Sequence, residues 1–96
     1  MSTEIDTTIL EQIGGRRFIA MTGARHLIAH PDGLSMRLPY PKINHVRITL
    51  TASDLYDMIF SRIRARKITE VAHHEGLYFD QLAEVFESET GLRTEL

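Results

Sequence analysis

The side chains of this sequence that could do chemistry are five histidines, the carboxylates near them, and a series of arginines. His26 and His30 are four residues apart, a spacing that on a helix would place both imidazoles on one face as metal ligands. The segment before Pro31 is predicted as a strand, where this spacing separates the two by about 13 Å, too far for one zinc ion. A site that adds His45 or His73 stays open. Ordinary surface or half-buried histidines are the main expectation, with no metal and no cofactor.

A second set, His74, Glu75 and Asp80, has the residue types of acid–base catalysis. No serine near them has the sequence context of an activated nucleophile. The chain has no cysteine, which excludes disulfides, thiol catalysis and cysteine-ligated zinc. We therefore expect a non-enzymatic protein with no catalytic residue and no small-molecule substrate.

The arginines are the most suggestive feature. Arg62, Arg64 and Arg66 alternate, so a continuing strand would direct all three to the same side. Arg37 and Arg47 occupy the polar faces of their predicted strands. If these strands are neighbours, a basic patch forms on the open sheet face, and its contacts with phosphates would be salt-dependent and largely independent of sequence. The candidate nucleic-acid-binding residues are Arg37, Arg47, Arg62, Arg64, Arg66 and Lys67.

Aromatic side chains could add base stacking to that patch. Tyr40, Tyr56 or Phe60 would do so if exposed. Tyr56 and Phe60 have the same strand phase as Arg62, so they belong either to the core or to a stacking platform.

The charge is unevenly distributed along the chain. Residues 1–15 have a net charge of −3, residues 16–67 of +7 and residues 68–96 of −6, within a total of −2. One interpretation is that the basic middle pairs with the acidic helical ends, in the same or another subunit. The other is a basic sheet surface that binds an anionic partner.

The arginines lie in or beside predicted strands. Val46, Ile48 and Leu50 alternate with polar residues, which indicates a strand with one dry face. A turn at residues 52–54 follows. The run Leu55–Ile63 fits a helix or a strand, and its β-branched and aromatic residues favour the strand. Both faces of that strand would be largely apolar, which predicts that a helix covers one and a partner contacts the other through Leu55, Ile59 and Ile63.

The remaining elements follow from periodicity and turn residues. Helices are predicted over Ile5–Ile13 and from Tyr78 or Phe79 to Glu89, the second with Phe79, Leu82, Ala83, Val85 and Phe86 as its buried stripe. Strands are predicted over Arg17–Thr22, His26–His30, Leu34–Leu38 and Ile68–His73, with a loop at residues 74–76. This order predicts one α+β domain over residues 1–96: an antiparallel meander of five to six strands, a short N-terminal helix, and a C-terminal helix packed on one face. The N-terminus lacks the apolar core of a signal peptide and no run is long enough to span a bilayer, so we expect a cytoplasmic protein with no membrane partner.

Three runs together resemble a known group of proteins. They are ILEQIGGRRFIAMTGA at residues 9–24, DLYDMIFSRIR at 54–64 and YFDQLAEVFESETGL at 78–92. They resemble a family of small proteins of unknown function that occur in phages, prophages and other mobile elements. The resemblance covers nearly the whole chain and implies a compact accessory protein whose partner is nucleic acid or a host or element-encoded protein. The family has no established catalytic residues to carry over.

Two functions of different class follow. One is nucleic-acid binding through the arginines. The other is a self-associating protein-interaction module, such as an inhibitor or adaptor, suggested by the two apolar faces of Leu55–Ile63 and by the basic middle with acidic ends.

Overall fold

A computed structural model describes residues 3–92 of the protein, including the side chains of residues 5 and 7–92. This part of the chain forms α1 (Thr3–Ile13), α2 (Gly15–Thr22), β1 (Arg25–His30), β2 (Gly33–Arg37), β3 (His45–Leu50), β4 (Tyr56–Arg64), β5 (Lys67–Leu77), a 3₁₀ helix (Phe79–Gln81) and α3 (Leu82–Thr90).

The five strands form one antiparallel sheet in the order β1-β2-β3-β4-β5, so each strand pairs with its neighbours in sequence. This confirms the predicted α+β fold with a meander sheet, an N-terminal helix and a C-terminal helix. It also resolves the ambiguous run 55–63, because residues 56–63 belong to strand β4 and not to a helix. Residues 31–32 connect β1 to β2, and the carbonyl of Asp32 accepts the Leu50 N–H at 2.7 Å, which fixes this turn against β3.

The helices cover one face of the sheet. From the strands, this core contains Leu34, Met36, Val46, Ile48, Met58 and Phe60, and from the helices Ile9, Ile13, Phe18, Leu82 and Phe86. The rings of Phe18 and Phe86 meet edge to face with centroids 4.9 Å apart, and Phe86 lies 6.3 Å from Phe60. Phe86 therefore joins α2, α3 and the middle of the sheet.

The prediction of a strand over Arg17–Thr22 is wrong, because this segment belongs to helix α2. Phe18-Ile19-Ala20-Met21 is a short apolar run, and periodicity alone cannot distinguish a buried strand from one face of a short helix at that length. Phe18 and Thr22, four residues apart, are the buried residues of α2, which is helical spacing.

Two predictions at the C-terminal end also need correction. The loop predicted at residues 74–76 is part of β5, which runs to Leu77 with irregular register opposite residues 56–58 and 60–61 of β4. These register shifts interrupt the regular alternation that marks a strand. Phe79, predicted in the buried helix stripe, is 58% exposed because it lies in the 3₁₀ helix, while Leu82 and Phe86 are buried as predicted.

Candidate functional site

The face of the sheet opposite the helices, here called the open face, carries the side chains that alternate with the core residues. On β2 and β3 these are Ser35, Arg37, His45, Arg47 and Thr49; on β4 they are Asp57, Ile59, Ser61 and Ile63. Cross-strand partners lie on the same face of a sheet, so the register extends this surface to Ile28 on β1 and to Glu70 and His73 on β5.

The β1–β3 side of the open face is positively charged, and we call Arg25, Arg37, His45 and Arg47 its basic half. Burial lowers the pKa of His45 below its ordinary value of 6.5, and the positive charges of Arg37 and Arg47 lower it further, with a smaller effect of His30. Arg47 makes an exposed ion pair with Asp32, in which nitrogen and oxygen are 3.4 Å apart. Such an exposed pair is weak and does not neutralise the surface.

The β4–β5 side of the open face is acidic, and we call Asp57, Glu70 and Glu75 its acidic half. His73 Nε2 lies 3.8 Å from the Glu75 carboxylate, and one ligand atom each of Asp57, His73 and Glu75 falls within 4.8 Å of the others. Imidazole and carboxylate are ligand types for divalent metals. All three residues are partly or fully exposed, and Asp57 Oδ1 also accepts the Gly76 N–H at 3.3 Å.

A second charged surface lies at the end of the β4–β5 hairpin, which we call the hairpin end and define as residues 62–69. Arg62 pairs with Thr69 and Arg64 with Lys67, so these four side chains lie on one face. They line an open pocket of about 400 Å³. None of the three cations forms an ion pair with an acid in the described part of the chain.

Asn44 fixes the base of the hairpin end, where β3 does not continue alongside β4. Its side-chain amide donates to the Ile63 carbonyl at 2.8 Å and accepts the Ile63 N–H at 2.7 Å. The Asn44 backbone N–H also donates to the Ser61 carbonyl at 3.1 Å. One residue thus replaces a missing strand and orients the segment that carries Arg62 and Arg64.

The structure divides the predicted arginines into two groups. Arg37 and Arg47 lie on the open face, whereas Arg62 and Arg64 have the phase of Phe60 and point to the helix side. Arg66 lies in the tight turn after β4, where Ala65 has a φ of 55°, so the predicted alternation does not continue through it. The six candidates therefore form two surfaces and not one patch.

The structure also shows where the aromatic and apolar candidates lie. Tyr56 and Phe60 are buried in the core, which settles the alternative in favour of core and against a stacking platform. Ile59 and Ile63 are half-buried on the open face, and Leu55 precedes β4. Their proposed role as an interface stays a prediction.

The suggested acid–base set is not brought together. His74 points to the helix side, where its Nε2 is 2.7 Å from the Glu89 carboxylate of α3 and its ring meets Phe60 edge to face. Glu75 lies beside His73 on the open face, and Asp80 is exposed in the 3₁₀ helix. The His74–Glu89 contact joins α3 to β5.

Four residues of these surfaces are not predicted from the sequence as site residues: Asn44, Asp57, Thr69 and Glu70. Glu75 is predicted only as a member of the acid–base set. A two-residue turn at residues 65–66 is the signal that would have paired Arg62 with Thr69. No such local signal relates Asp57 to Glu75, because the register shift in β5 decides which residue faces it.

Comparisons with protein-family models, curated proteins and solved structures find no match to this chain. None of the helices in residues 3–92 has the length and apolar character needed to cross a membrane. Function must therefore be inferred from the charged surfaces themselves.

Proposed function

We propose that the protein is a non-enzymatic nucleic-acid-binding module whose hairpin end contacts phosphate groups. The observation that carries this proposal is the cluster of Arg62, Arg64 and Lys67 on one face of an exposed hairpin, around a pocket with no acid among the described residues that line it. We also propose that the protein is an accessory protein of a phage or other mobile element, because residues 9–24, 54–64 and 78–92 resemble the family of such proteins.

Phosphate is the ligand chemistry that suits this cluster. Two guanidinium groups offer planar pairs of donors that match phosphate oxygens, and the lysine ammonium adds a mobile point charge. Thr69 contributes a hydroxyl at the same pocket. Because the three cations have no acidic partner among the described residues, phosphate binding does not have to break an existing ion pair.

The expected affinity depends on the phosphate backbone of the nucleic acid and not on its base sequence. Within residues 3–92 no aromatic side chain lines the pocket, and the exposed rings of Tyr78 and Phe79 follow the opposite end of β5. Without base edges or stacking partners, phosphate contacts provide affinity with little sequence preference. Three such contacts predict that log K falls against log salt with a slope of about −2 to −3.

The test is fluorescence anisotropy with a labelled single strand and a labelled duplex at about 50 mM and about 300 mM salt. We expect the double variant Arg62→Glu/Arg64→Glu to lose about tenfold or more of the affinity at low salt. The matched control is Arg16→Glu/Arg17→Glu, which makes the same change in net charge at exposed positions on α2. Wild-type protein that fails to bind at low salt, or equal losses in the two variants, would contradict the proposal.

A second candidate function is self-association, as a module that binds a protein partner. The observation that favours it is the open face, which has positive charge on one side, negative charge on the other, and the half-buried Ile59 between them.

A further inference from the structure

We propose that the open face is the interface of a homodimer, in which the basic half of one copy contacts the acidic half of the other. Five cross-strand neighbours form one row from edge to edge of the open face: Arg25, Arg37, His45, Ser61 and Glu70. The adjacent row consists of Ile28, Ser35, Arg47, Ile59 and His73. In the first row, positive charge lies at one end and the Glu70 carboxylate at the other, whereas the adjacent row has Arg47 at its centre and no carboxylate.

A two-fold axis makes such a row complementary to itself. Two sheets that pack face to face keep their strands approximately aligned, with about 10 Å between them. If the axis runs parallel to the strands and passes between β3 and β4, each row meets its own copy in reverse order. Arg37 of one copy then faces Glu70 of the second, and the symmetry repeats this contact. In the adjacent row, Arg47 faces Ile59, against which its aliphatic stem can pack.

The mixed charge of the face selects a second copy over a nucleic acid. A polyanion lying across the sheet would be attracted by Arg37 and Arg47, but it would be repelled by Asp57, Glu70 and Glu75. A partner surface that carries positive and negative charge in the opposite order is not repelled in this way. A second copy related by a two-fold axis presents such a surface.

The sheet edges are poor alternatives to the open face. Both edge strands have register shifts: β1 between Arg25 and Ile28, and β5 in two places opposite β4. Bulges interrupt the row of backbone groups that a second chain would extend, and they are a common means of preventing edge pairing. A dimer formed by this chain is therefore expected to use the face and not the edge.

The arrangement has a consequence for the hairpin end, which rests on the proposed function. An axis parallel to the strands leaves both hairpin ends at the same end of the dimer. Arg62 and Arg64 point to the helix side, away from the open face, so dimerisation leaves them accessible. The dimer would present two basic sites to one nucleic-acid molecule.

The mass of the full chain is measured by sedimentation equilibrium from about 5 to about 500 µM, with EDTA present so that adventitious metal at Asp57, His73 and Glu75 cannot join two copies. We expect a rise from 11.0 kDa toward twice that value. A constant 11.0 kDa over the whole range would overturn the proposal.

Charge reversal then tests which surface is used. Arg37→Glu and Glu70→Arg should each weaken the dimer about tenfold or more, because symmetry repeats each repulsion. Their equimolar mixture should restore it, since the reversed groups now face each other. The controls Arg16→Glu and Glu84→Arg, exposed on α2 and α3, should have no effect alone or mixed. Reversed variants that dimerise as well as their controls, or a mixture no tighter than either variant alone, would overturn the proposal. Recovery in the mixture also shows that both variants are folded, and the wild-type concentration series does not depend on them.

Discussion

Asn44 shows how one side chain can continue a sheet. Its amide makes the two hydrogen bonds to Ile63 that a neighbouring strand residue would make, at 2.8 and 2.7 Å. We predict that Asn44→Ala lowers the free energy of unfolding by about 1–3 kcal/mol, because two bonds are lost and the partly buried Ile63 backbone is left without them. Urea denaturation gives this value directly.

Asn44→Asp provides the graded comparison for this prediction. A carboxylate can still accept the Ile63 N–H but cannot donate to its carbonyl, so the loss should be incomplete. An Asn44→Ala protein as stable as the wild type would show that the hairpin end does not need this support.

His45 predicts a pH dependence of stability. Burial, followed by Arg37, Arg47 and His30, lowers its pKa in the folded protein below the ordinary 6.5, while Ser61 opposite it on β4 is uncharged. The unfolded chain therefore binds more protons in the window just below pH 6.5. The stability that the neutral imidazole contributes is fully present above that pH and is lost as pH falls through the folded-state pKa.

The measurement is the thermal midpoint of wild type and His45→Gln at pH values on either side of this window. On acidification the thermal midpoint of the wild type should fall by more than that of the variant, since glutamine does not titrate. Equal losses in the two proteins would assign the acid sensitivity to other groups.

At the scale of elements, amphipathic strands could be predicted and the short helix could not. β2 and β3 alternate apolar and polar residues, and that pattern predicts their inward faces. For β4 the sequence predicts two largely apolar faces, and the structure shows that Tyr56, Met58 and Phe60 are the ones in the core. The sequence signal that marks α2 as a helix is the Thr22-Gly23 pair at its C-terminus. Thr22 Oγ1 donates to the Phe18 carbonyl, and Gly23 adopts a φ of 72°. Helix α3 ends with the same Thr-Gly pair, so the C-terminus of α3 is a guide to the C-terminus of α2.

The turn of the β4–β5 hairpin contains a local strain that can be removed. Ala65 has a φ of 55°, a left-handed conformation that costs an L-residue roughly 1–2 kcal/mol and that glycine adopts freely. Ala65→Gly should therefore stabilise the protein by about 0.5–1 kcal/mol after the added entropy of the unfolded chain is subtracted.

Ala52→Gly is the matched control for this turn, because Ala52 is exposed in the loop between β3 and β4 and does not have a positive φ. It should leave stability unchanged or lower it. Thermal unfolding compares the two variants, and a stabilisation by Ala52→Gly as large as that by Ala65→Gly would contradict the turn argument.

At the scale of the molecule, the sequence predicted the uneven charge but not the surfaces that it forms. Ten basic residues in positions 16–67 suggested one patch. The strand phase of Arg62 and Arg64, which follows Phe60, sends them to the side opposite Arg37 and Arg47. The acidic half depends on cross-strand register and on irregular pairing in β5, which are set by tertiary packing and not by local sequence.

The two proposals together predict binding that depends on nucleic-acid length. Sheets packed about 10 Å apart, with strands spaced about 4.8 Å, place the two hairpin ends of the proposed dimer within roughly 25 Å of each other. A short duplex of about 4 base pairs, about 14 Å long and covalently linked at one end, can engage one hairpin end, whereas a long duplex of about 30 base pairs, about 100 Å, can engage both in a dimer. With two linked contacts, wild-type affinity for the long duplex should exceed that for the short one by about tenfold or more. Arg37→Glu, measured as a monomer, should retain short-duplex binding and keep only the small gain that additional sites on a longer lattice provide. The double variant Arg62→Glu/Arg64→Glu should lose binding to both the short and the long duplex.

If Arg37→Glu keeps the full length dependence, bivalent binding through a dimer at the open face is wrong, while the hairpin end can still be the binding site. If the hairpin variant binds both duplexes like the wild type, the site itself is wrong, whatever the oligomeric state.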